Sequence, residues 1–499
     1  MELLAFILYF AAMLLIGIYF FFKSKKTSDN SEKEYFLGGR AMGPWVTAMS
    51  AQASDMSAWL LMGLPGSILA FGMGKAWIGI GLAIGTALNW IFCAKRLRKF
   101  SKAANDAITL PQYLSNRFDS KSHTLSIICA VVFLISFTIY VASGFVAGAT
   151  VFHTLIPQIS ESTEMLIFAL IIIIYTFLGG FNAVCWTDFF QGLLMIAALV
   201  AVPVMVCIKG GLDASALDTV YEFDGTTYAF VGNAFKADWC DIISGLGWGL
   251  GYFGMPHILV RFMSIEKPSM VKKSAVVAII WVVISLCAAI AIAYLGRMVL
   301  APELLPDGMQ KMVFITFARR LFPPFIAGIL LAAIIAASMS TADSQLLVAS
   351  SSFTSDIYKP VIKKNASDNE LLWVGRIVVL AVSVVAYFIA SSKGSGAQAI
   401  MDMVENAWGL FGAAFGPVVI LSLFWKRFTY KGAVAGIVGG AVTDILWLWK
   451  LSASTNIYEI IPGFIAGTIL CVVVTLLDKA PSEKVNAIFE TATDNSVDD

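Results

Sequence analysis

The feature of this chain that most restricts its fold is a succession of long apolar segments. A search with a window of about 19 residues, roughly the length of helix that crosses a bilayer, finds thirteen of them. Hydrophobic residues make up 59% of the 499 positions and charged residues only 13%, more apolar surface than a soluble core buries. The sequence therefore predicts an all-α integral membrane protein with lipid as the solvent for most of its length. The segments lie at residues 4–22, 43–71, 76–93, 124–152, 162–180, 188–208, 239–260, 274–296, 323–352, 372–391, 400–425, 432–449 and 457–477.

The distribution of basic residues predicts how the segments are oriented. If the N-terminus lies outside, 25 of the 34 Lys and Arg residues fall on inward loops or on the C-terminal tail. The loop from Lys95 to Lys121 is the most basic of them. We therefore expect an outside N-terminus, a cytoplasmic C-terminus and one transmembrane domain over residues 1–480. The polar tail at 481–499 is expected to be loosely ordered.

Composition and motifs exclude several classes of function. A net charge of +1 without a basic, aromatic-interleaved face argues against a nucleic-acid partner. The seven cysteines and three histidines are scattered without metal-ligand spacing, so no transition metal is predicted. The chain lacks a GxxxxGK[ST] loop, which argues against a primary pump, and it lacks paired carboxylates beside a nucleophile, which argues against an enzyme. A GxGxxG match at Gly249, Gly251 and Gly254 has no preceding strand, so no organic cofactor is predicted.

The second segment contains a charged residue at a position that would lie within the bilayer if the segment were an uninterrupted transmembrane helix. Asp55 lies within the small and polar stretch 51–58 (AQASDMSA), and Gly63, Pro65 and Gly66 follow it. A charge at the centre of a spanning helix costs about 2.5–3.5 kcal/mol on the lenient insertion scale. The pattern predicts an interrupted helix whose free backbone groups bind something. The alternative is a seam of small residues for helix packing that contains one buried acid.

The seventh segment has the same irregular character. Five glycines and a proline lie between residues 245 and 256, a composition that unwinds most helices. Close helix packing through small residues is the alternative. Because segments two and seven are five apart, they indicate two five-helix repeats, at about 43–208 and 239–425. The first, twelfth and thirteenth segments would then be additions to the repeats.

Three further polar positions lie in or next to apolar segments. Ser340 and Ser344 lie one turn apart in the ninth segment, and Ala337 precedes Ser340 by three residues. Hydroxyl and carbonyl oxygens of this kind suit an alkali cation. Hydroxyls of this kind also bond their own helix backbone, so this cluster is equally explained as structural. Asp188 opens the sixth segment, either as a ligand or as a helix N-cap. Tyr140 lies within the fourth segment, where its hydroxyl needs a partner.

Several stretches of the chain resemble the solute:sodium symporter family. The resemblance extends from the first helix to Pro481, and the second and third of these stretches are similar to the family's proline-transporting branch. The stretches are 34–40 (EYFLGGR), 50–66 (SAQASDMSAWLLMGLPG), 245–263 (GLGWGLGYFGMPHILVRFM), 337–347 (ASMSTADSQLL) and 408–417 (WGLFGAAFGP).

The resemblance implies a fold and an activity. The fold is a LeuT-type 5+5 inverted repeat with one additional N-terminal and two additional C-terminal helices. The activity is symport in the bacterial cytoplasmic membrane, in which Na+ as the coupling ion moves inward with L-proline by alternating access. A symporter of the same fold for another small amino acid or a carboxylate stays open, and so does an ion channel.

The resemblance also implies roles for residues at matching motif positions. The implied sodium ligands are the backbone carbonyls of Ala53, Met56 and Ala337 and the hydroxyls of Ser340 and Thr341. Substrate-binding or coupling roles are implied for Asp55, Ser57, Tyr140, Trp248, Tyr252 and Pro256, and a gating role for Arg40. A candidate second cation site, used by some relatives, involves Asp188, Ser340, Asp343 and Ser344. Those relatives commonly carry a hydroxyl where this chain has Asp343, so the second ion stays open.

Overall fold

The computed structural model describes residues 1–26, 32–393 and 397–494 and consists almost entirely of helices. Its α-helices are α1 (Glu2–Lys26), α2 (Glu32–Leu37), α3 (Pro44–Asp55), α4 (Gly63–Phe71), α5 (Ala76–Leu88), α6 (Lys95–Ala103), α7 (Leu110–Arg117), α8 (Thr124–Leu155), α9 (Glu161–Lys209), α10 (Trp239–Gly247), α11 (Pro256–Ser264), α12 (Val271–Leu304), α13 (Val313–Leu321), α14 (Pro324–Phe353), α15 (Asp368–Lys393), α16 (Ala397–Phe424), α17 (Tyr430–Lys450), α18 (Ser452–Thr455), α19 (Ile460–Leu477) and α20 (Glu483–Thr493).

Shorter elements join these helices. One hairpin, in the connection from α9 to α10, pairs β1 (Tyr221–Phe223) antiparallel with β2 (Thr226–Tyr228). The 3-10 helices are Gly38–Arg40, Ala58–Leu60, Met73–Lys75, Ala214–Leu217, Ala234–Lys236, Trp248–Phe253, Pro268–Met270 and Gln310–Met312, and the π-helical turns are Asn89–Ala94 and Thr354–Ile362.

All thirteen predicted apolar segments fall on helical structure. Within the described ranges, ten helices are long and apolar enough to cross a membrane, and they coincide with the predicted segments other than the second, fifth and seventh. The second and seventh segments are each interrupted inside the predicted span, and the fifth is the first part of α9. The multi-pass helical architecture is confirmed, whereas the number thirteen stays a prediction.

The boundary between the fifth and sixth segments is a single glycine within α9. Gly180 has φ 63° and ψ 177°, so the axis breaks there although helix continues on both sides. An added Cβ at this position would lie 3.0 Å from the Tyr35 ring. Glycine is therefore required both by the left-handed φ and by the close ring.

Helix α14 lies at the centre of the fold. Its residues 330–352 are all buried, and it packs against α1, α3, α8, α9 and α15. A helix that is buried on every side leaves no stripe for lipid, so its hydroxyl groups need partners inside the protein. The Ser340 and Ser344 positions are thereby placed at the core of the transmembrane domain.

The expectation of a loosely ordered tail is wrong for residues 483–493, which form α20. This helix packs against α6, with the Phe489 ring 5.2 Å from the Phe100 ring in an edge contact. Lys426 and Glu490 form an ion pair at 2.6 Å on its outer side. Val485 and Ala492 lie seven positions apart on one face of α20, and both are buried. This apolar stripe at helical spacing indicates a packed helix, but the polar composition of the tail as a whole obscured it.

Candidate functional site

The second segment is interrupted immediately after Asp55. Helix α3 ends there, Met56 and Ser57 adopt non-helical conformations, and a short 3-10 turn leads into α4. The Ser57 amide donates to the Asp55 carbonyl at 3.1 Å instead of continuing the α-helical pattern to Ala53. The break leaves the last carbonyls of α3 available to other groups.

The seventh segment is interrupted in the same way. Helix α10 ends at Gly247, a 3-10 stretch runs from Trp248 to Phe253, and α11 begins with the buried Pro256. Close packing through small residues also occurs here, because an added Cβ at Gly249 would lie 2.4 Å from the Gly81 carbonyl oxygen. The glycine-rich stretch therefore breaks the helix and also lets it approach α5.

The two interruptions meet at the Asp55 side chain. The Tyr252 hydroxyl donates to Asp55 Oδ2 at 2.5 Å, and the Tyr140 hydroxyl donates to the Asp55 backbone oxygen at 3.4 Å. Among the residues that the structure describes, Asp55 Oδ1 has no hydrogen-bond partner, and all three residues are about 1% exposed. A buried carboxylate with one open oxygen is costly unless a donor or a cation approaches it.

Aromatic rings surround this meeting point. The Trp248 ring lies 6.2 Å from Trp59, 6.4 Å from Trp408 and 5.3 Å from Tyr458, measured between centroids. Trp408 also packs edge-on against Tyr252 at 5.1 Å and donates from Nε1 to the Trp248 carbonyl at 2.8 Å. The sequence prediction included Trp248 and Tyr252 but missed the other three rings, which lie in three separate parts of the chain.

A cavity of about 350 Å³ leads to these rings from one end of the helices. Trp248 and Glu405 are among its lining residues, and so are Lys75 and Asp241, which form an ion pair at 2.9 Å. The continuous helix from Met73 to Ala103 has 31 residues and, at 1.5 Å per residue, runs roughly 46 Å to the opposite end. We call the end with Lys75 the cavity face and the end with α20 the tail face.

On the tail face, Arg40 ties several elements together. Its Nε donates to Asp106 Oδ1 at 2.8 Å, its Nη2 to the Ala107 carbonyl at 2.7 Å and its Nη1 to Ser101 Oγ at 3.1 Å. Nη1 also donates to the carbonyl of Met263 at the end of α11. The residue is 7% exposed, so the guanidinium is buried among these elements.

The charge of Arg40 is balanced by one carboxylate. Partial burial raises the pKa of Asp106, but the hydrogen bonds and charges of Lys33 and Arg40 outweigh it and hold this pKa below its usual value. Asp106 is therefore ionised at neutral pH and keeps the Arg40 contact charged. The position predicted for gating connects α6 with the end of α11.

The implied sodium ligands come together in part. Ser340 Oγ on α14 donates to the Ala53 carbonyl at 2.8 Å and to the Ala337 carbonyl at 3.2 Å, so the hydroxyl joins α14 to the end of α3. The next residue, Thr341, has a buried hydroxyl that finds no hydrogen-bond partner within the described ranges. Met56 lies in the break itself, with φ −86° and ψ 78°. These neutral oxygens are the donor type that an alkali cation accepts.

Ser57, for which the resemblance implies a substrate-binding or coupling role, lies in the same region. Together with Tyr140 and Thr341 it lines one small internal void between the break, α8 and α14. The residues implied for substrate binding and those implied for sodium binding are therefore neighbours rather than two distant sets.

The candidate second cation site is built around an arginine that the sequence prediction missed. Asp188 Oδ2 accepts from Ser50 Oγ at 2.7 Å and from Arg261 Nη2 at 3.0 Å, and Ser344 Oγ is 3.5 Å away. Arg261 Nη2 also donates to Ser344 Oγ at 2.5 Å. Asp343, the residue before Ser344, is fully buried beside this cluster.

The Asp188–Arg261 pair changes the interpretation of both residues. Asp188 does not begin a helix, because α9 continues through it, so the N-cap alternative is wrong. Ser340, the remaining residue of this candidate site, donates to the Ala53 carbonyl. One charged residue inside the apolar stretch Pro256–Ser264 was the signal for a buried ion pair.

Comparisons with known proteins support a family assignment. The model of the sodium:solute symporter family matches residues 35–440. The sodium/proline symporter of Salmonella typhimurium strain LT2 is 44% identical over 494 residues, which cover 98% of this chain and 96% of that protein. The high-affinity proline transporter PutP of Bacillus subtilis strain 168 is 43% identical over 478 residues, which cover 96% of this chain and 98% of that protein.

A solved structure shows the same fold. A Na+-coupled sialic acid symporter, in a substrate-bound outward-open state, matches with a TM-score of 0.75 at 22% identity and covers 97% of this chain and 99% of its own. The predicted LeuT-type architecture is thereby confirmed, and the matched family is a family of transporters. The chain belongs to the sodium:solute symporter family.

Proposed function

We propose that this protein is a secondary active symporter that couples inward Na+ movement to L-proline uptake by alternating access. The observation that carries the proposal is the meeting of two broken helices at Asp55, whose open carboxylate oxygen is buried beside the Tyr252 hydroxyl. Broken helices in corresponding places of two repeats are where substrates and coupling ions bind in this class of fold. The names of the two relatives, a sodium/proline symporter and a proline transporter, favour proline as the substrate.

The chemistry of proline fits the surroundings of Asp55. Proline is a zwitterion whose secondary ammonium seeks an anionic or carbonyl oxygen, and Asp55 Oδ1 offers one. Its carboxylate favours the N-terminus of a half-helix such as α4 or α11. Its small apolar ring favours flat aromatic walls, which Trp248 and its neighbouring rings supply.

Sodium would bind where α14 meets the end of α3. The proposed ligands are the backbone carbonyls of Ala53, Met56 and Ala337 and the hydroxyls of Ser340 and Thr341. The Ser340 hydroxyl already spans two of these carbonyls, at 2.8 and 3.2 Å. An ion at this position holds the break against α14 and favours the conformation that accepts substrate. Coupling then follows from the different sodium affinities of two conformations.

The proposal includes the orientation and the division of the chain. Residues 1–480 form the transporter domain, with repeats at about 43–208 and 239–425, in the bacterial cytoplasmic membrane. The N-terminus lies outside, so the cavity face is external and the tail face, with its basic helix α6, is cytoplasmic. Asp188, Asp343 and Ser344 remain a candidate second cation site, in which Arg261 balances one of the two acids.

Ion-dependent uptake by the purified protein tests the proposal. Proteoliposomes take up labelled L-proline under an inward sodium gradient, with choline replacing sodium in the control and no proton gradient in either. We expect accumulation in sodium that collapses when the gradient is dissipated. Equal uptake in the two buffers would refute sodium coupling, and stronger competition by another amino acid or a carboxylate than by unlabelled proline would refute the substrate.

A further inference from the structure

A small groove lies on the tail face, at the opposite end of the Met73–Ala103 helix from the cavity. It encloses about 230 Å³ between α6, the turn that follows α11 and the C-terminal helix α20. We call it the basic groove and define it by Arg98, Lys99, Lys102, Glu266, Pro268 and Thr491. Three of these six side chains are cationic and one is acidic, so the groove carries an excess of positive charge.

Arg98 is a buried cation whose charge is incompletely balanced. Its guanidinium donates from Nε to the Ile265 carbonyl at 2.6 Å and from Nη2 to the Glu266 carbonyl at 2.9 Å. Its Nη1 is buried without a hydrogen-bond partner, and the residue is only 4% exposed. In the part of the chain that the structure describes, no carboxylate lies within ion-pair distance of it. A buried guanidinium held by two neutral oxygens alone is costly, and an anion in the groove would remove that cost.

The other walls supply further groups for an anion. Lys102 follows Arg98 by one helical turn on α6 and is exposed to solvent. Lys99 is held at the edge by the backbone oxygen of Asp494, at 2.7 Å, which keeps α20 against α6. Thr491 contributes a hydroxyl from the opposite wall. A planar guanidinium with a lysine ammonium group, here that of Lys102, and a hydroxyl is a donor set that recognises phosphate.

We propose that the basic groove binds the phosphate group of an anionic ligand, as a phospholipid headgroup or as free phosphate. The groove lies at the ends of two apolar spans, Met73–Ala103 and Pro268–Leu304, which is the depth of lipid headgroups. The bound phosphate would bridge α6, the end of the seventh segment and α20. This site does not depend on the proposed transport function, since it involves none of the residues proposed to bind sodium or proline.

Ligand-induced stabilisation of the full-length protein in neutral detergent tests the proposal. The midpoint of thermal unfolding is followed during titration with dioleoylphosphatidylglycerol, with dioleoylphosphatidylcholine, or with inorganic phosphate. The variant is Lys102→Gln, and the control is Lys121→Gln, which removes the same charge from an exposed site on the same face outside the groove. One basic residue near a lipid surface contributes about fivefold in affinity, so we expect Lys102→Gln to raise the half-saturating concentration about fivefold.

The outcomes separate the two sources of phosphate. A rise in the midpoint with phosphatidylglycerol but not with inorganic phosphate, weakened in Lys102→Gln and unchanged in Lys121→Gln, supports a lipid headgroup. The same pattern with inorganic phosphate supports a soluble anion. Three results would overturn the proposal. They are an unchanged unfolding midpoint with both phosphatidylglycerol and inorganic phosphate, equal rises in the midpoint with phosphatidylglycerol and phosphatidylcholine, or equal responses of the Lys102→Gln and Lys121→Gln variants.

Discussion

Replacing Ser340 by alanine gives the sharpest test of the proposed sodium site. The Ser340 hydroxyl lies 2.8 Å from the Ala53 carbonyl and 3.2 Å from the Ala337 carbonyl, so it stands between two other proposed ligands. Alanine removes this one oxygen and leaves the helix geometry of α14 unchanged. The variant therefore subtracts one of five proposed ligands without opening a large cavity.

The expected magnitude follows from the value of one polar contact to a charge. A neutral hydrogen-bonding group contributes about 1.5–3 kcal/mol when its partner is charged. A loss of about 2 kcal/mol corresponds to a roughly 30-fold weaker sodium affinity, at about 1.36 kcal/mol per factor of ten. We expect the sodium concentration for half-maximal proline uptake to rise by about this factor, while the maximal rate at saturating sodium changes much less.

Ser351→Ala is the matched control. Ser351 lies on the same helix, is also buried, and donates to the backbone oxygen three residues earlier, as Ser340 does. Both substitutions therefore remove a hydroxyl of similar local bonding, but only Ser340 also reaches α3. Sodium titration of proline uptake in proteoliposomes compares the two. An unchanged sodium half-saturation in Ser340→Ala, or an equal rise in Ser351→Ala, would refute the assignment.

Three other substitutions test other contacts. Tyr252→Phe loses a hydrogen bond to a carboxylate, so the proline concentration for half-maximal uptake should rise about tenfold or more. Asp188→Asn leaves Arg261 buried and unpaired at a cost of about 3–5 kcal/mol, and the double variant with Arg261→Gln should recover part of the lost thermal stability. Asp106→Asn should reduce uptake by no more than about fivefold, because the ion pair of Asp106 with Arg40 is partly exposed to solvent and such pairs contribute little free energy. The pKa of Asp106 is lowered in the folded protein. The stabilisation from its ion pair is therefore complete above the ordinary pKa of an aspartate, and it is lost only as the pH falls through the lowered pKa. The ratio of variant to wild-type uptake should therefore stay constant between about pH 5 and 8.

Each of these expectations has a contrary result. Wild-type proline half-saturation in Tyr252→Phe would mean that the hydroxyl does not position the carboxylate during binding. Strictly additive losses of stability in the Asp188 and Arg261 variants would mean that the two side chains are not coupled. A ratio that changes steeply between about pH 6 and 7 would assign the effect to another titrating group than Asp106.

The membrane fold and the two broken helices follow from the sequence because they depend on local composition. Apolar length predicts the spans, and glycine, proline and small polar residues weaken a helix wherever they are concentrated. Asp55 and the glycines around Trp248 therefore mark the interruptions without knowledge of the tertiary structure. Gly180 also ends the predicted fifth segment at the residue where the axis breaks.

The parts that the sequence did not predict depend on contacts between distant residues. Arg261 pairs with Asp188, which lies 73 positions earlier, and no local pattern selects that partner. Trp408 and Tyr458 join the aromatic surroundings of Trp248 from two C-terminal helical regions outside the broken segments. Such pairings arise only when the whole bundle is assembled, so a single sequence identifies the polar residues but not their partners.

The two clusters of buried acids differ in how their charge is balanced, and this difference predicts the role of Asp55. Asp188 is paired with Arg261 inside the chain, whereas the one hydrogen-bond donor to the Asp55 carboxylate in the described structure is the neutral Tyr252 hydroxyl. Closing the cavity face over an unbalanced carboxylate would desolvate the carboxylate, so closure should require bound positive charge.

A cysteine-labelling experiment tests this role of Asp55. Asp55→Asn removes the charge and keeps the shape of the side chain. A probe cysteine at Ser67, which lines the cavity, reports closure in a background without the natural cysteines. With Asp55 present, sodium and proline should protect Ser67→Cys from a membrane-impermeant maleimide. In the Asp55→Asn variant, protection should no longer depend on either ligand, and a retained dependence on both would show that the charge does not control closure.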